Sequence, residues 1–131
     1  MGRPDGTKDP DGPEFGLFLR FLRENPNVWT KVTCPERLSV TGPRARHEDL
    51  NEGEVAYRDV VPFARRVVEE FPDRVLWGTD WPHPNLKDHM PDDGLLVDFI
   101  PQIAPTAELQ RKLLVDNPGR LYWPDTSSEG A

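Results

Sequence analysis

The sequence RVLWGTD at residues 74–80 decides the fold, because a short apolar run ends there in a glycine, a threonine and an aspartate. The branched and aromatic residues of its first part predict a β-strand over residues 74–78. A similar run, NVWTKVT, predicts another strand at residues 27–33. Between them, apolar residues recur at helical spacing over residues 57–71, which predicts a helix. A strand, a helix and a strand in this order indicate two parallel strands with a right-handed connection.

Further helices are predicted on both sides of this unit. Apolar residues at 15–24 and at about 94–104 have helical spacing, and Thr106 is positioned to cap a last helix that Asn117-Pro118-Gly119 should stop. Asp59 is positioned to cap the central helix. The resulting class is α/β. Because two parallel strands alone do not make a stable sheet, we expect the C-terminal part of a larger sheet or barrel.

The remaining segments read as loops. Residues 1–14 are rich in proline and glycine and predict a loop, and residues 34–55 form a long polar segment of the kind that is often functional or disordered. We expect one partial domain over residues 1–125, in which the apolar side chains at 121–123 dock onto the rest. Residues 126–131 are expected to be a disordered tail.

Composition excludes several classes of protein. The chain has 131 residues and a net charge of −7, which disfavours a nucleic-acid-binding role. The single cysteine excludes an internal disulfide and a cysteine-based zinc site. No apolar run approaches the ~20 residues of a membrane helix, and Met1 is followed by polar residues instead of a signal peptide. We therefore expect a soluble, acidic, cytoplasmic protein.

Asp80 is the leading candidate for chemistry. It lies where an apolar strand ends and a proline-rich loop, WPHPN, begins. In parallel α/β folds active sites are built at this edge, and a carboxylate there can accept a proton from water or bind a metal. His83 follows three residues later in the same loop. The alternative interpretation is that Asp80 only caps the next turn and that His83 is an ordinary loop residue.

Arg37 follows the other strand and should lie at the same edge as Asp80. A guanidinium group is suited to a carboxylate or phosphate, since its donors match two oxygens at once. The alternative for Arg37 is a surface ion pair with Glu36 or another neighbour. Cys34 has no histidine nearby in sequence and is interpreted as a bystander thiol. The remaining candidates are interpreted as solvated or surface side chains: Lys31, His47 and His89.

Several segments resemble one known family. The runs RVLWGTDWPHPN at 74–85, YRDVVPFARRVVEEFPD at 57–73 and DNPGRLYW at 116–123 are similar to the eighth-strand region of the amidohydrolase superfamily. KVTCPERLS at 31–39 is similar to its seventh-strand region. The resemblance implies the C-terminal fragment of a TIM (β/α)8 barrel, containing roughly the last two parallel strands and their helices. The most similar branch opens cyclic dicarboxylate esters in bacterial breakdown of aromatic compounds.

The resemblance also implies roles for three residues. Asp80 matches an aspartate that acts as general base on the hydrolytic water and then passes the proton to the leaving oxygen. Arg37 matches an arginine that holds a substrate carboxylate, and His83 matches a loop histidine that contributes to substrate binding. Metal-dependent members use the equivalent aspartate as a zinc or manganese ligand. The lactone-opening branch is expected to require no metal or other cofactor.

Two features of the family are absent from these 131 residues. These are the His-x-His pair of the first strand and the histidine of the sixth strand. We therefore expect a lactone hydrolase acting on a small dicarboxylate, with the isolated fragment inactive. One alternative is a fragment of a metal-dependent amidohydrolase or decarboxylase. Another is a non-catalytic barrel fragment that self-associates or pairs with a second chain through an exposed sheet edge.

Overall fold

The computed structural model describes residues 4–5 and 9–124, and it confirms the α/β class. Two strands, β1 (Thr30–Thr33) and β2 (Val75–Gly78), pair in parallel, with Thr30 opposite Val75 and Thr33 opposite Gly78. Helix α2 (Val61–Glu70) connects them. Both strands are shorter than predicted, since only four residues of each join the ladder.

The other elements flank this unit. Helix α1 precedes β1, and four helical segments follow β2, the last two joined by a π-helical turn at Lys112–Asp116. In chain order the helices are α1 (Pro13–Glu24), α2, α3 (Asp93–Asp98), α4 (Ile100–Ile103), α5 (Ala107–Arg111) and α6 (Asn117–Tyr122). Short 3₁₀ turns at Pro35–Arg37 and His47–Asp49 interrupt the long polar segment after β1.

One hydrophobic core joins α1, α2 and both strands. On α2, Phe63 and Val67 are almost fully buried, and Val32 and Val75 of the strands belong to the same cluster. The ring of Phe15 on α1 meets Phe63 edge-on, with ring centroids 5.1 Å apart. Fully burying side chains of this size stabilises the fold by roughly 1.5–3 kcal/mol each, so α2 is fixed against the sheet by its apolar face.

Arg74 ties the start of β2 to the end of α1. Its guanidinium group donates to the carbonyl oxygens of Leu22, Asn25 and Val28 at 2.9–3.0 Å. The Leu22 and Asn25 carbonyls lie at the end of α1, where backbone acceptors otherwise lack partners. These hydrogen bonds explain how a charged residue can lie directly before an apolar strand.

The predicted helix over residues 94–104 is divided in two, α3 and α4. Pro101 lies in the first turn of α4, and it has no N–H to donate to the preceding turn. The prediction that Thr106 caps the next helix is confirmed, since its hydroxyl oxygen accepts from the Leu109 N–H at 3.2 Å. Asp92 caps α3 in the same way, through the Gly94 N–H.

The prediction that Asn117-Pro118-Gly119 stops the last helix is wrong. The backbone stays helical to Tyr122, because Pro118 lies in the first turn of α6, where a missing N–H costs little. Asn117 is fully buried, and its side-chain amide donates to the carbonyl oxygens of Pro72 (2.7 Å) and Val75 (2.8 Å). The helix thereby holds β2 in place.

The predictions for the two ends of the chain, residues 1–14 and 121–131, have different outcomes. Helix α1 begins at Pro13, inside the segment predicted as a loop, and the predicted tail at 126–131 lies outside the described residues. The expected docking end at 121–123 is wrong for the described chain, because Tyr122 and Trp123 are 54% and 75% exposed. Among residues 4–5 and 9–124, no helix combines the length and apolar character that crossing a membrane requires.

We expect Asn117→Ala to lower the free energy of unfolding by about 1–3 kcal/mol, because a buried and a partly buried carbonyl group lose their donor. Urea denaturation followed by circular dichroism measures this. Asn27→Ala, at an exposed position before β1, is the matched control and should change stability by less than about 0.5 kcal/mol. Equal effects of the two substitutions would contradict this account of Asn117.

Candidate active site

The carboxyl ends of the two strands lie side by side. Thr33 and Gly78 are register partners, and the Thr33 hydroxyl group donates to the Gly78 carbonyl oxygen at 2.7 Å. The residues that follow each strand therefore emerge at one edge of the sheet. This is the edge where parallel α/β folds place their functional groups.

Left-handed backbone conformations are concentrated at this edge. Cys34, Asp80 and His83 have φ angles of 55°, 66° and 58°, and Tyr57 has 59°. For residues other than glycine this conformation costs about 1–2 kcal/mol each. Such strain persists where the surroundings over-determine the backbone, and it is concentrated at functional sites. The left-handed backbone at Cys34, Asp80 and His83 therefore sets the directions of the side chains that follow each strand.

Arg37 and Asp80 meet at this edge, as the sequence predicts. Arg37 Nη2 lies 2.6 Å from Asp80 Oδ2, and the two side chains are 23% and 33% exposed. The ion pair of Arg37 is thus formed with Asp80 and not with Glu36, and whether Arg37 also binds a substrate stays a prediction. The capping alternative for Asp80 also fails, because Thr79 fills that role: its hydroxyl oxygen accepts from the Trp81 N–H at 3.1 Å.

His83 is buried beside this pair. Its backbone N–H donates to the Asp80 carbonyl oxygen at 2.7 Å, and its ring Nε2 lies 2.9 Å from Asp93 Oδ1 at the start of α3. The residue is only 2% exposed, and Nδ1 has no hydrogen-bond partner among the described residues. Its predicted place at the mouth agrees with the structure, and its role in substrate binding stays a prediction.

Glu36 is a member of the site that the sequence reasoning missed. It is 5% exposed, and within the described part of the chain neither carboxylate oxygen forms a hydrogen bond with another residue. Burial raises its pKa, and the charge of Asp80 adds to this, while a backbone hydrogen bond, His83 and Arg37 act in the opposite direction. Its sequence neighbours, Pro35 and Arg37, give no sign of this burial.

The other candidates lie outside the centre of the site. Burial raises the pKa of the Cys34 thiol, which agrees with its interpretation as a bystander. Lys31 and His47 are exposed. The prediction that His89 is a surface side chain is wrong, because the residue is only partly exposed and its Nε2 is buried.

Burial also raises the pKa of Tyr57, to about 12, with Glu36 and Asp92 adding to the shift. Its hydroxyl group therefore stays protonated at neutral pH and is available as a hydrogen-bond donor.

Asp59 holds the loop that follows Arg37. Its carboxylate accepts hydrogen bonds from the Ser39 hydroxyl (2.7 Å) and from the Val40 N–H (2.6 Å). The prediction that Asp59 caps α2 is therefore wrong: the capping position is Val60, which has a helical backbone. Burial acts to raise the pKa of Asp59, but these hydrogen bonds outweigh it and lower the pKa.

A cavity of about 200 Å³ lies between the loops that follow the two strands. It is lined by Glu36 and Arg44 from one loop and by residues 85–89 from the other. A larger cavity, of about 610 Å³, lies at Arg65 and Arg66 of α2, away from the strand ends. Within the described part of the chain, no three His, Cys, Asp or Glu side chains are grouped as a metal ion would need.

Comparison with known proteins identifies the family. A family model described as Amidohydrolase matches residues 1–123. The chain belongs to the amidohydrolase family. It is 80% identical, over 125 residues, to a 2-pyrone-4,6-dicarboxylate hydrolase from Comamonas testosteroni, and this match covers 95% of the chain and 40% of that enzyme. The chain therefore spans less than half of the length of this relative.

Other relatives of this amidohydrolase also act on lactones. It is 42% identical to a 4-sulfomuconolactone hydrolase from Hydrogenophaga intermedia, over 93% of the chain and 37% of that protein. It is 28% identical to a D-galactarolactone isomerase from Agrobacterium fabrum, over 86% of the chain and 35% of that protein. A crystal structure of an Agrobacterium tumefaciens protein, in apo form, superposes with a TM-score of 0.66 at 28% identity, over 88% of the chain and 37% of that structure.

We expect Asp59→Asn to lower the free energy of unfolding by about 1 kcal/mol at pH 7, because the neutral amide is a weaker acceptor. The pKa of Asp59 is lowered in the folded protein. Its stabilisation is therefore present above the pKa of the unfolded chain and is lost as pH falls through the folded value. Urea denaturation at pH 7 and pH 3 should show the difference at pH 7 only. Asp49→Asn, at an exposed position, is the control, and a pH-independent difference would contradict this account.

Proposed function

We propose that the protein containing these residues hydrolyses a cyclic ester bearing carboxylate groups, of the 2-pyrone-4,6-dicarboxylate type, in bacterial breakdown of aromatic compounds. The observation that carries the proposal is the pairing of Arg37 with Asp80 at 2.6 Å, at the carboxyl ends of two parallel strands. The 80% identity to a hydrolase of that lactone supports the substrate class.

The fold proposal is that these elements are the last two strands of a (β/α)8 barrel with their helices. A parallel pair joined by a helix is the repeating unit of such barrels, which typically have ~250 residues. The match to only 40% of the Comamonas enzyme supports a partial barrel. On this proposal the remaining strands cover the open sides of β1 and β2. A chain that lacks them has no turnover, and it has an exposed sheet edge through which it associates.

We also propose that the protein is located in the cytoplasm.

The proposed reaction begins with Asp80. Its carboxylate accepts a proton as water attacks the lactone carbonyl carbon, so that a carbon–oxygen bond forms and a tetrahedral intermediate results. Collapse of the intermediate breaks the bond to the ring oxygen. Asp80 then returns the proton to that oxygen, which leaves a hydroxyl group and an open-chain carboxylic acid; the acid releases the second proton of the water to solvent and becomes a carboxylate. One carboxylate thus acts first as base and then as acid.

Arg37 is proposed to bind a carboxylate of the substrate. A guanidinium group has five N–H donors, so contact with Asp80 leaves donors for a second anion. Its buried Nε has no hydrogen-bond partner within the described residues. His83 completes the proposed substrate contacts from the same loop.

The family includes metal-dependent enzymes, in which the aspartate equivalent to Asp80 is a metal ligand. Asp80 is the matching ligand, but its Oδ2 is already 2.6 Å from a guanidinium nitrogen of Arg37, which competes with a metal for the carboxylate. The described residues alone form no group of metal ligands around it. We derive no step through a metal, and the proposal that none is required rests on the engagement of Asp80 by Arg37.

We expect Asp80→Asn, in the full natural chain, to lower kcat by about 10²–10⁴-fold, the usual contribution of a general base. Substrate binding should change little, since the amide has the same shape as the carboxyl group. The loss of the pyrone's ultraviolet absorbance measures turnover, and calorimetry measures binding. Asp98→Asn, at an exposed position on α3, is the control. Unchanged turnover in Asp80→Asn would sink the proposed base.

We expect Arg37→Lys to lower kcat/KM by about 10–100-fold, mainly through KM, because lysine cannot hold a carboxylate with two parallel N–H donors. The loss should be smaller for a lactone that lacks the carboxylate bound by Arg37. Steady-state kinetics on both lactones measures the difference. Arg58→Lys, at an exposed position outside the site, should leave both constants unchanged. Equal losses on the two lactones would argue against carboxylate binding by Arg37.

A further inference from the structure

The backbone of His83 is fixed on both sides in the loop that follows β2. Its N–H donates to the Asp80 carbonyl oxygen at 2.7 Å, and its own carbonyl oxygen accepts from the Leu86 N–H at 3.0 Å. The residue has a left-handed backbone, with a φ angle of 58°. Two successive turns therefore set the direction in which the side chain leaves the loop, and only the side-chain torsions of the ring remain to be fixed.

Asp93 is the contact that fixes the ring. Its Oδ1 lies 2.9 Å from His83 Nε2, and the imidazole is fully buried while the Asp93 side chain is 44% exposed. A ring turned over about its Cβ–Cγ bond would present the carbon Cε1 to this carboxylate instead of Nε2, and the hydrogen bond would be lost. The contact with Asp93 thus distinguishes two ring orientations that have nearly the same shape.

The same contact decides which ring nitrogen carries the proton. An ionised carboxylate can only accept hydrogen bonds, so Nε2 must be the donor. In a neutral imidazole the other nitrogen, Nδ1, is then an acceptor. Nδ1 of His83 is buried and has no hydrogen-bond partner among the described residues. Within this part of the chain, Asp93 is therefore the side chain that determines the tautomer of His83.

The place of Asp93 in the chain suits this role. It is the first residue of α3, and Asp92 before it caps that helix by accepting from a backbone N–H of the first turn at 2.8 Å. The carboxylate of Asp93 is thus not the one that caps the helix. Leu95 and Leu96 of the same helix are buried in the hydrophobic core, so the helix that presents Asp93 to the ring is itself held in place.

We propose that Asp93 is a positioning residue, which holds the ring of His83 in one orientation with its proton on Nε2. Nδ1 is then the nitrogen left for any contact with the reacting molecules. That use of Nδ1 rests on the proposed function, whereas the orientation of the ring and the position of its proton do not.

The first measurement observes the His83 ring by NMR in the full natural chain with ¹⁵N-labelled histidine. Protonated and unprotonated ring nitrogens have very different ¹⁵N shifts, and their couplings to the ring hydrogens distinguish Nε2 from Nδ1. Spectra are recorded at pH 9, well above the usual histidine pKa of about 6.5, and the His83 signals are assigned by their loss in His83→Gln. We expect the proton on Nε2 alone. A proton on Nδ1 would overturn the proposal.

The second measurement tests the part played by the carboxylate of Asp93. In Asp93→Asn the amide can accept from Nε2–H through its oxygen or donate to an unprotonated Nε2 through its nitrogen, so it does not impose one tautomer. We expect the two ring ¹⁵N shifts of His83 to move toward each other in this variant. Asp98→Asn, an exposed position on the same helix, is the matched control and should leave both shifts unchanged.

A merely structural role for Asp93 at the start of α3 would lower stability without moving the ring shifts, and unchanged shifts in Asp93→Asn would contradict the proposal. If this variant does not fold, the spectrum of the natural chain remains decisive, since the tautomer is observed there directly. Neither measurement uses turnover. An active Asp80→Asn enzyme would therefore reject the proposed function without changing the outcome for His83.

Discussion

The parallel pairing of Thr33 with Gly78 is the constraint on which the rest of the site depends. It brings the carboxyl ends of β1 and β2 to the same level of the sheet, so that residues 43 positions apart in the chain, Arg37 and Asp80, form an ion pair. A parallel ladder slipped by one residue would turn every side chain to the other face. The register is protected from both sides, by the core that packs α2 against the strands and by Asn117 beneath β2.

Rigid supports hold the polar groups at the strand ends. Asp59 binds the loop after Arg37, Asp93 holds the ring of His83, and the left-handed backbone at Asp80 sets the direction of its carboxylate. Two of these supports, Asp59 and Asp93, are residues outside the pair itself. Catalytic groups need such support because a displacement of about 1 Å can cost a large factor in rate.

The prediction of the fold from sequence succeeded where a repeating pattern carried the information. Apolar periodicity located α2, and β-branched residues located both strands. The joint position of Arg37 and Asp80 then followed from parallel topology alone. Helix α6 could not be found in this way. Its first residue, Asn117, is held by hydrogen bonds to the carbonyl groups of Pro72 and Val75, some 42–45 residues away. Local sequence contains no sign of such partners.

Glu36 shows the same limit for the site, since its importance arises from burial by two loops that meet only in three dimensions. In sequence it is an ordinary acid next to an arginine, and local pairing is the natural interpretation. In the structure Arg37 pairs instead with Asp80, and Glu36 is buried while Asp80 stays partly exposed. Acids that are chemically alike thus differ in burial and in partner, and the strand register, which brings the two loops together, sets that difference.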